Sequence, residues 1–351
     1  MNFESDNTAG IAPAILDAIL RTNGGFAPAY GDDAVTARLN ARLAELFERE
    51  VGVYLVATGT AANALALAQI APPWGAVLCH EECHLAQDEC GAPEFFGGGL
   101  KLLPLPGEGG KIAAPTLAAA LARGPWGGPH HTTAAVVSLT QATEFGTSYR
   151  PDEMRELARI AHAHGLKVHV DGARFANALA RLETSAAAAS WRCGVDILSL
   201  GATKGGAMGA EAVVVFDRTL ARGLEQRRKR AGHLLSKHRF VAAQLEAYLA
   251  DDLWLELARH ANRMADRLAA ALAEAGLPAV WPVEANEIFV VVPRRLDQRL
   301  RAAGARYGAW VAKHLPAGTP VGDDGVLVRL VASFATTAAD VDRFVAAIRE
   351  D

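Results

Sequence analysis

This sequence predicts an α/β fold: a mostly parallel central sheet with helices on both faces, followed by a smaller C-terminal α+β domain. Three observations carry that prediction. Short apolar, β-branched runs alternate with helix-forming segments over roughly the first 200 residues, a pattern that buries a parallel sheet on both faces. Charged residues stand where two of those runs end, which is where open α/β sheets bind ligands. From about Phe240 the texture changes to longer helical stretches, so the chain divides into 1–240 and 241–351.

The elements follow in order. Val51 to Ala57 (VGVYLVA) is an apolar strand that breaks at Thr58-Gly59-Thr60 and passes directly into Ala61 to Leu67, a good helix former. Ala76 to Cys79 is a short second strand and Thr133 to Leu139 a third. A loop then leads to the helix Pro151 to His164, with proline suited to its first turn. Leu166 to Val170, Val195 to Leu200 and Ala212 to Phe216 are further strands. One long helical stretch spans Phe240 to Ala275. The strand Asn286 to Val292, a helix near Leu296 to Ala303 and the strand Gly325 to Val331 come next. The last helix is capped by Thr337 with Asp340 three residues on, and Val341, Phe344, Val345 and Ile348 form its apolar stripe.

Composition excludes several function classes. The 351 residues are 51% hydrophobic and 21% charged, and 35 Lys plus Arg against 39 Asp plus Glu leave a net charge of −4. No basic stripe exists to grip nucleic acid; the one cationic cluster is Arg227-Arg228-Lys229-Arg230. The most apolar stretch, Ala61 to Pro72, carries Asn63 and Gln69 and falls short of the ~20 residues a bilayer needs. The opening MNFESDNTAG has acidic and amide residues where a signal peptide would carry lysines, so a cytoplasmic protein is expected. Four cysteines, three of them between Cys79 and Cys90, make no disulfide framework in a chain of this size. Their C-x3-C-x6-C spacing lacks a second paired knuckle and puts Cys79 inside a strand, so no metal site is expected.

Two segments carry chemistry: His169-Val170-Asp171-Gly172-Ala173-Arg174 and Ser199-Leu200-Gly201-Ala202-Thr203-Lys204-Gly205-Gly206. An acid and an amine leaving two such strands suit pyridoxal phosphate. That cofactor needs a lysine for a Schiff base and a carboxylate to keep its ring nitrogen protonated. Spacing alone would equally allow a surface lysine and a helix-capping aspartate. Thr58-Gly59-Thr60, at a strand-to-helix turn, offers free N–H groups and a helix dipole to a phosphate, or is a plain helix cap. It lacks the lysine of a GxxxxGK[ST] loop, which disfavours a nucleoside triphosphate.

With these pieces in place the chain resembles the low-specificity L-threonine aldolases, pyridoxal phosphate enzymes of the aspartate-aminotransferase-like class. FESDNTAG, YGDD, VATGTAANALAL, CHLAQDECGAPEFF, HVDGARFANAL and SLGATKGG carry the resemblance, and it extends to SFATTAADVD near the C-terminus. The resemblance implies Lys204 as the Schiff-base lysine and Asp171 as partner of the pyridinium nitrogen. It implies Gly59, Thr60 and Thr203 around the phosphate, and His84 against the cofactor ring as first candidate base. Ser5, Arg174 and Arg329 would take the substrate carboxylate. It further implies a homotetramer with sites between subunits, in which Lys229 reaches a neighbour's phosphate. Each position has a plainer use: Ser5 as a turn residue, His84 as a core histidine, Arg174 in a structural ion pair, Lys229 on a solvated helix face. Arg329 is the exception, because a charge inside an apolar run must be paired or point into a site.

The sequence departs from the better-known branch in two places. The histidine of an ENTHN-like loop is matched here by Thr143, within Leu139-Thr140-Gln141-Ala142-Thr143-Glu144, which bears on stereochemical preference at the β carbon. Gln87-Asp88 replaces an aromatic residue after the stacking histidine. The expected activity is retro-aldol cleavage of L-β-hydroxy-α-amino acids to glycine and an aldehyde. The alternatives are a β-eliminating lyase of the same fold and a non-catalytic protein that binds the cofactor.

Overall fold

The central sheet is built from β1 (Gly52–Val56), β2 (Gly75–His80), β3 (Lys101–Leu105), β4 (Thr133–Thr140), β5 (Lys167–Gly172), β6 (Ile197–Gly201) and β7 (Glu211–Val215). In this computed structural model, which describes residues 1–311, 315–316, 318–319, 321–322 and 324–349, their order is β1-β7-β6-β5-β4-β2-β3. Pairing is parallel from β3 through β2, β4 and β5 to β6, while β7 runs antiparallel to both β6 and β1. The reversal has a simple cause. Only residues 202–210 separate β6 from β7, fewer than the dozen or so that a parallel crossover needs. β3 is absent from the strands expected above. It is an edge strand carrying Pro104, and proline in a strand is tolerated only at edges.

The helices in chain order begin with α1 (Pro13–Thr22), α2 (Ala34–Leu46), α3 (Gly59–Ile70), α4 (His84–Gln87), α5 (Ala92–Phe96), α6 (Ala114–Arg123) and α7 (Pro151–Ala163). They continue as α8 (Phe175–Leu182), α9 (Leu224–Arg230), α10 (Arg239–Leu249), α11 (Leu253–Glu274), α12 (Arg294–Ala302) and α13 (Ala338–Arg349). α3 has every residue from Ala61 to Ala68 buried, Asn63 among them, as a helix apolar on nearly all sides must. The single helix expected from Phe240 to Ala275 is corrected to two. α10 and α11 are separated by the turn Ala250–Asp252, where Asp251 and Asp252 adopt φ of 51° and 56°. Aspartate tolerates this left-handed conformation better than most residues, and two such residues in a row end the helix.

A second sheet, β8 (Glu287–Pro293), β9 (Gly308–Ala309) and β10 (Gly325–Val331), is antiparallel in the order β8-β10-β9. The larger core includes Leu78, Val137, Leu198, Val214 and Trp254; the smaller one includes Leu268, Ile288, Leu330 and Phe344. α11 serves both, with Ala258 in the first and Ala265 in the second. Phe3 is buried in the smaller core against Phe344, ring centroids 5.2 Å apart, and its backbone bonds to Arg306 and Val331. That anchoring carries the next residues, Ser5 to Asn7, to the mouth of the sheet. α13 shows the expected reciprocal cap, Asp340 N–H to Thr337 Oγ1 at 3.1 Å and Thr337 N–H to Asp340 Oδ2 at 3.1 Å. Among the described residues no helix is long and apolar enough to cross a membrane.

Candidate active site

The carboxyl ends of β4, β5 and β6 open into a cavity of about 630 Å³. The strands beneath it are tied by His169, which is fully buried between the Ser138 hydroxyl (2.8 Å) and the Ser199 hydroxyl (3.0 Å). Burial pushes this imidazole down to about 4, so it is a neutral link across β4, β5 and β6. Asp171 is the next inward residue of β5 and lies within the strand rather than past its end.

From Asp171 a polar chain runs along one wall. Asp171 Oδ1 accepts from the Ala173 N–H at 3.0 Å and Oδ2 from Asn63 Nδ2 at 2.9 Å. The same Asn63 amide donates to Glu89 Oε1 at 2.8 Å, and that oxygen lies 2.8 Å from His84 Nδ1. The bond to Glu89 raises the proton affinity of the His84 ring above its ordinary value. Burial raises the Glu89 carboxyl as well, against the pull of His84. Glu144 stands on the same wall, with Oε1 accepting from the His84 backbone N–H at 2.8 Å. Burial is the main cause that lifts its carboxyl to about 7.

Lys204 lies on the short link between β6 and β7 and lines the cavity with Thr203. Glu211, the first residue of β7, accepts from the Ala202 N–H at 3.0 Å, and burial pushes it up to about 7 despite that bond and Lys204. The opposite corner is cationic. Arg174 forks onto Asp6 through Nε (2.8 Å) and Nη2 (3.0 Å), and its Nη1 lies 3.1 Å from Glu287 Oε2, an ion contact without hydrogen-bond geometry. Burial alone would raise the Asp6 carboxyl, but Arg174 and then Lys204 outweigh it and hold it below the ordinary carboxylate range. Burial opposes the charge on Arg174 too, yet Asp6 and Glu287 keep it more firmly protonated than usual. Arg329 is more loosely held: its Nη1 is 3.7 Å from Glu287 Oε1, its guanidinium lies 4.9 Å over the Trp310 ring, and its Nε has no partner.

Ser5, Gly59, Thr60, His84, Asp171, Arg174, Thr203, Lys204 and Arg329 therefore line one cavity. Ser5 also caps a short turn by accepting from the Asn7 N–H. Thr58 caps α3 through the Ala61 N–H, leaving the first N–H groups of that helix without an intrahelical acceptor. A Cβ on Gly59 would meet nothing within 4 Å, so the helix end is open to a ligand. An amine, a buried carboxylate and an open helix N-terminus around one space are the groups that pyridoxal phosphate requires, and the buried Asn63 Oδ1 without a partner shows that this wall has polar capacity to spare. Lys229 is not part of this lining; it is exposed, 4.9 Å over the Tyr30 ring. Thr143 is buried below the cavity, its hydroxyl bonded to the Gly109 carbonyl and Thr147 Oγ1, each at 2.9 Å.

Sequence reasoning passed over Asp6, Asn63, Glu89, Glu144, Glu211 and Glu287. One signal was available: Asn63 interrupts an otherwise apolar helix, and a buried amide there needs polar partners. The others reveal themselves only through what folding sets beside them.

Comparison with known proteins adds family evidence. Residues 2–294 match the model of the family described as beta-eliminating lyase. The chain is 44% identical to a low specificity L-threonine aldolase of Pseudomonas aeruginosa over 89% of this chain and 90% of that protein. It is 41% identical to one from a Pseudomonas species, over 88% and 89% of the two chains. Among solved structures, a threonine aldolase of Leishmania major superposes with a TM-score of 0.91 at 29% identity, covering 99% of this chain and 98% of that one.

Proposed function

The chain belongs to the beta-eliminating lyase family and, within it, to the low-specificity L-threonine aldolases; on that premise we propose how its cavity works. It is a pyridoxal phosphate-dependent carbon–carbon lyase, cleaving L-threonine, L-allo-threonine and related L-β-hydroxy-α-amino acids to glycine and an aldehyde. The observation that carries this reading is the meeting of Lys204, Asp171 and the α3 N-terminus around a single cavity with arginines in one corner.

Pyridoxal phosphate, when bound, supplies an electron sink for the pair released at the substrate Cα. Lys204 would hold its aldehyde carbon covalently, and Asp171 would keep its ring nitrogen protonated. The Gly59 and Thr60 N–H groups, with Thr203, would hold its phosphate at the helix end. His84 would lie against its ring. Arg329 is the guanidinium with unspent bonding capacity, so it would take the substrate carboxylate, with Ser5 and Arg174 completing that corner. Holding the carboxylate would limit rotation about Cα, and His84 lines the same cavity. With Nδ1 bonded to Glu89, His84 leaves Nε2 for proton traffic there.

The family resemblance implies a homotetramer in which Lys229, exposed and outside its own chain's cavity, would reach a neighbour's phosphate. Four free cysteines fit a reducing cytoplasm. Incubating the holoenzyme with L-threonine tests the reaction. Glycine and acetaldehyde are expected in equal amounts. Release of 2-oxobutyrate and ammonia would establish β-elimination instead, and a coloured protein without turnover would leave cofactor binding alone.

A further inference from the structure

The cavity's carboxyl groups differ in what they are committed to. Glu89 has a buried Oε2 without a partner, but its charge is matched by His84, which with Asn63 engages Oε1; Asp171 is engaged by Asn63 and the Ala173 N–H, and Glu287 by two arginines. Glu211 is engaged by the Ala202 N–H and has Lys204 nearby. Glu144 has one oxygen on the His84 N–H and the Thr140 hydroxyl beside its carboxyl, while Oε2 is buried without a partner in hydrogen-bond geometry and, among the described residues, no cation pairs with it. A buried carboxyl oxygen in that state costs free energy unless a ligand brings it a donor. The loop after β4 adds a second observation. Thr143 turns its hydroxyl down into the fold, so the polar side chains that this loop presents to the cavity are Thr140 and Glu144.

From this geometry we infer that Glu144 is a catalytic residue, the carboxylate that receives the substrate's β-hydroxyl proton and thereby selects β-hydroxy amino acids. The inference rests on the retro-aldol reading above and names the proton acceptor within it. The proton passes from the β-oxygen to Glu144 Oε2, and the O–H electron pair becomes the second bond of the aldehyde carbonyl. The Cα–Cβ pair stays with Cα, which takes up one proton to become the methylene of glycine, so atoms and charge balance.

The electrostatics agree. Burial raises the Glu144 carboxyl to about 7, the His84 N–H pulls it back, and Asp171 pushes it up again. Arg174, the Cys83 thiol and Tyr149 also sense its charge. An acceptor near neutrality is matched to the working pH. His84, by contrast, is biased by Glu89 towards its imidazolium form, a donor.

The test compares the parent holoenzyme with Glu144→Gln, which keeps an oxygen for the His84 N–H but cannot take a proton, and with Glu144→Asp. Cleavage of L-threonine and L-allo-threonine is followed from pH 5.5 to 9, and glycine affinity is read from the absorbance of the bound cofactor. Glycine has no β-hydroxyl. The expected result is a fall in kcat/KM of about 100-fold or more in Glu144→Gln, with loss of the inflection near pH 7. Glycine affinity stays within about 3-fold of the parent, and Glu144→Asp regains part of the rate. Cleavage by Glu144→Gln within about 3-fold of the parent, with the inflection kept, overturns the inference. So does a loss of glycine binding that matches the loss of cleavage, since that marks a structural role. A parent that binds glycine but cleaves neither hydroxy amino acid overturns the retro-aldol reading, and this inference with it.

Discussion

The two walls of the cavity solve opposite electrostatic problems. In the arginine corner, Arg174 is matched by Asp6 on one edge and Glu287 on the other, and Asn286 closes the remaining side of Asp6 at 3.1 Å. Charges there are compensated, and the Asp6 carboxyl is held down. Along the His84 wall, Glu89, Glu144 and Asp171 crowd together with few cations, and burial drives the two glutamates up. A compensated cluster fixes a shape, because breaking it strands a buried charge. An under-compensated carboxyl such as Glu144, lifted to about 7 by burial, exchanges its proton near neutral pH, which is what acid–base chemistry uses. One cavity therefore combines a rigid grip with a wall suited to moving protons.

Lys204 joins the two walls, since its charge is sensed by Asp6, His84 and Glu211. Lys204→Ala is expected to have the largest effect, abolishing both the visible absorbance of the bound cofactor and turnover. An absorbance band that survives and can be reduced by borohydride would remove this lysine from the mechanism. Asp6→Ala comes next. It leaves Arg174 buried with half its compensation gone and should lower stability by about 3–5 kcal/mol, read as a loss of Tm. An unchanged Tm would show that the arginine corner is not the structural half.

The pH dependence sharpens this test. The Asp6 carboxyl is held below its ordinary value of 3.8 in the folded protein, so its share of stability is present above that value and is lost as pH falls through the lower, folded one. The stability gap between parent and Asp6→Ala should accordingly narrow as pH drops below about 4. A gap independent of pH would assign the loss to packing instead. Arg329→Leu is the mildest of the three. It should weaken amino-acid binding by about 10- to 100-fold, on the scale of one lost charge-assisted contact, with cofactor retained and Tm little changed. Unchanged substrate affinity would make Arg329 a structural partner of Glu287 and Trp310.

Much of this was legible in the chain. Strand, turn and helix at Val56 to Ala61, the alternation through β6, and the cap at Thr337 all depend on neighbours within a few residues, so local pattern suffices. Lys204, Asp171 and Gly59 were singled out by their places at strand ends and a strand-to-helix turn, but spacing alone equally allowed plainer uses, and the family resemblance supplied their expected roles. The break at Asp251-Asp252 and the Pro-bearing edge strand β3 were less legible, because helix propensity on either side hides the first and proline argues against the second. The reversal of β7 could be seen in the length of its link, provided the strands were known to be adjacent.

What the sequence determined by itself was the alternation of elements and the placing of an amine, an acid and a strand-to-helix turn at the ends of strands, since each needs only residue type and near neighbours. What tertiary structure alone decided was the ionisation of the cavity. Asp6 and Arg174 are 168 residues apart, and Asn63 and Asp171 are 108. A carboxyl's proton affinity depends on burial and on the charges within a few ångströms. Neither quantity exists until the chain has folded, and so the same residue type is held down at Asp6 and its homologue in chemistry, glutamate, is pushed up at position 144.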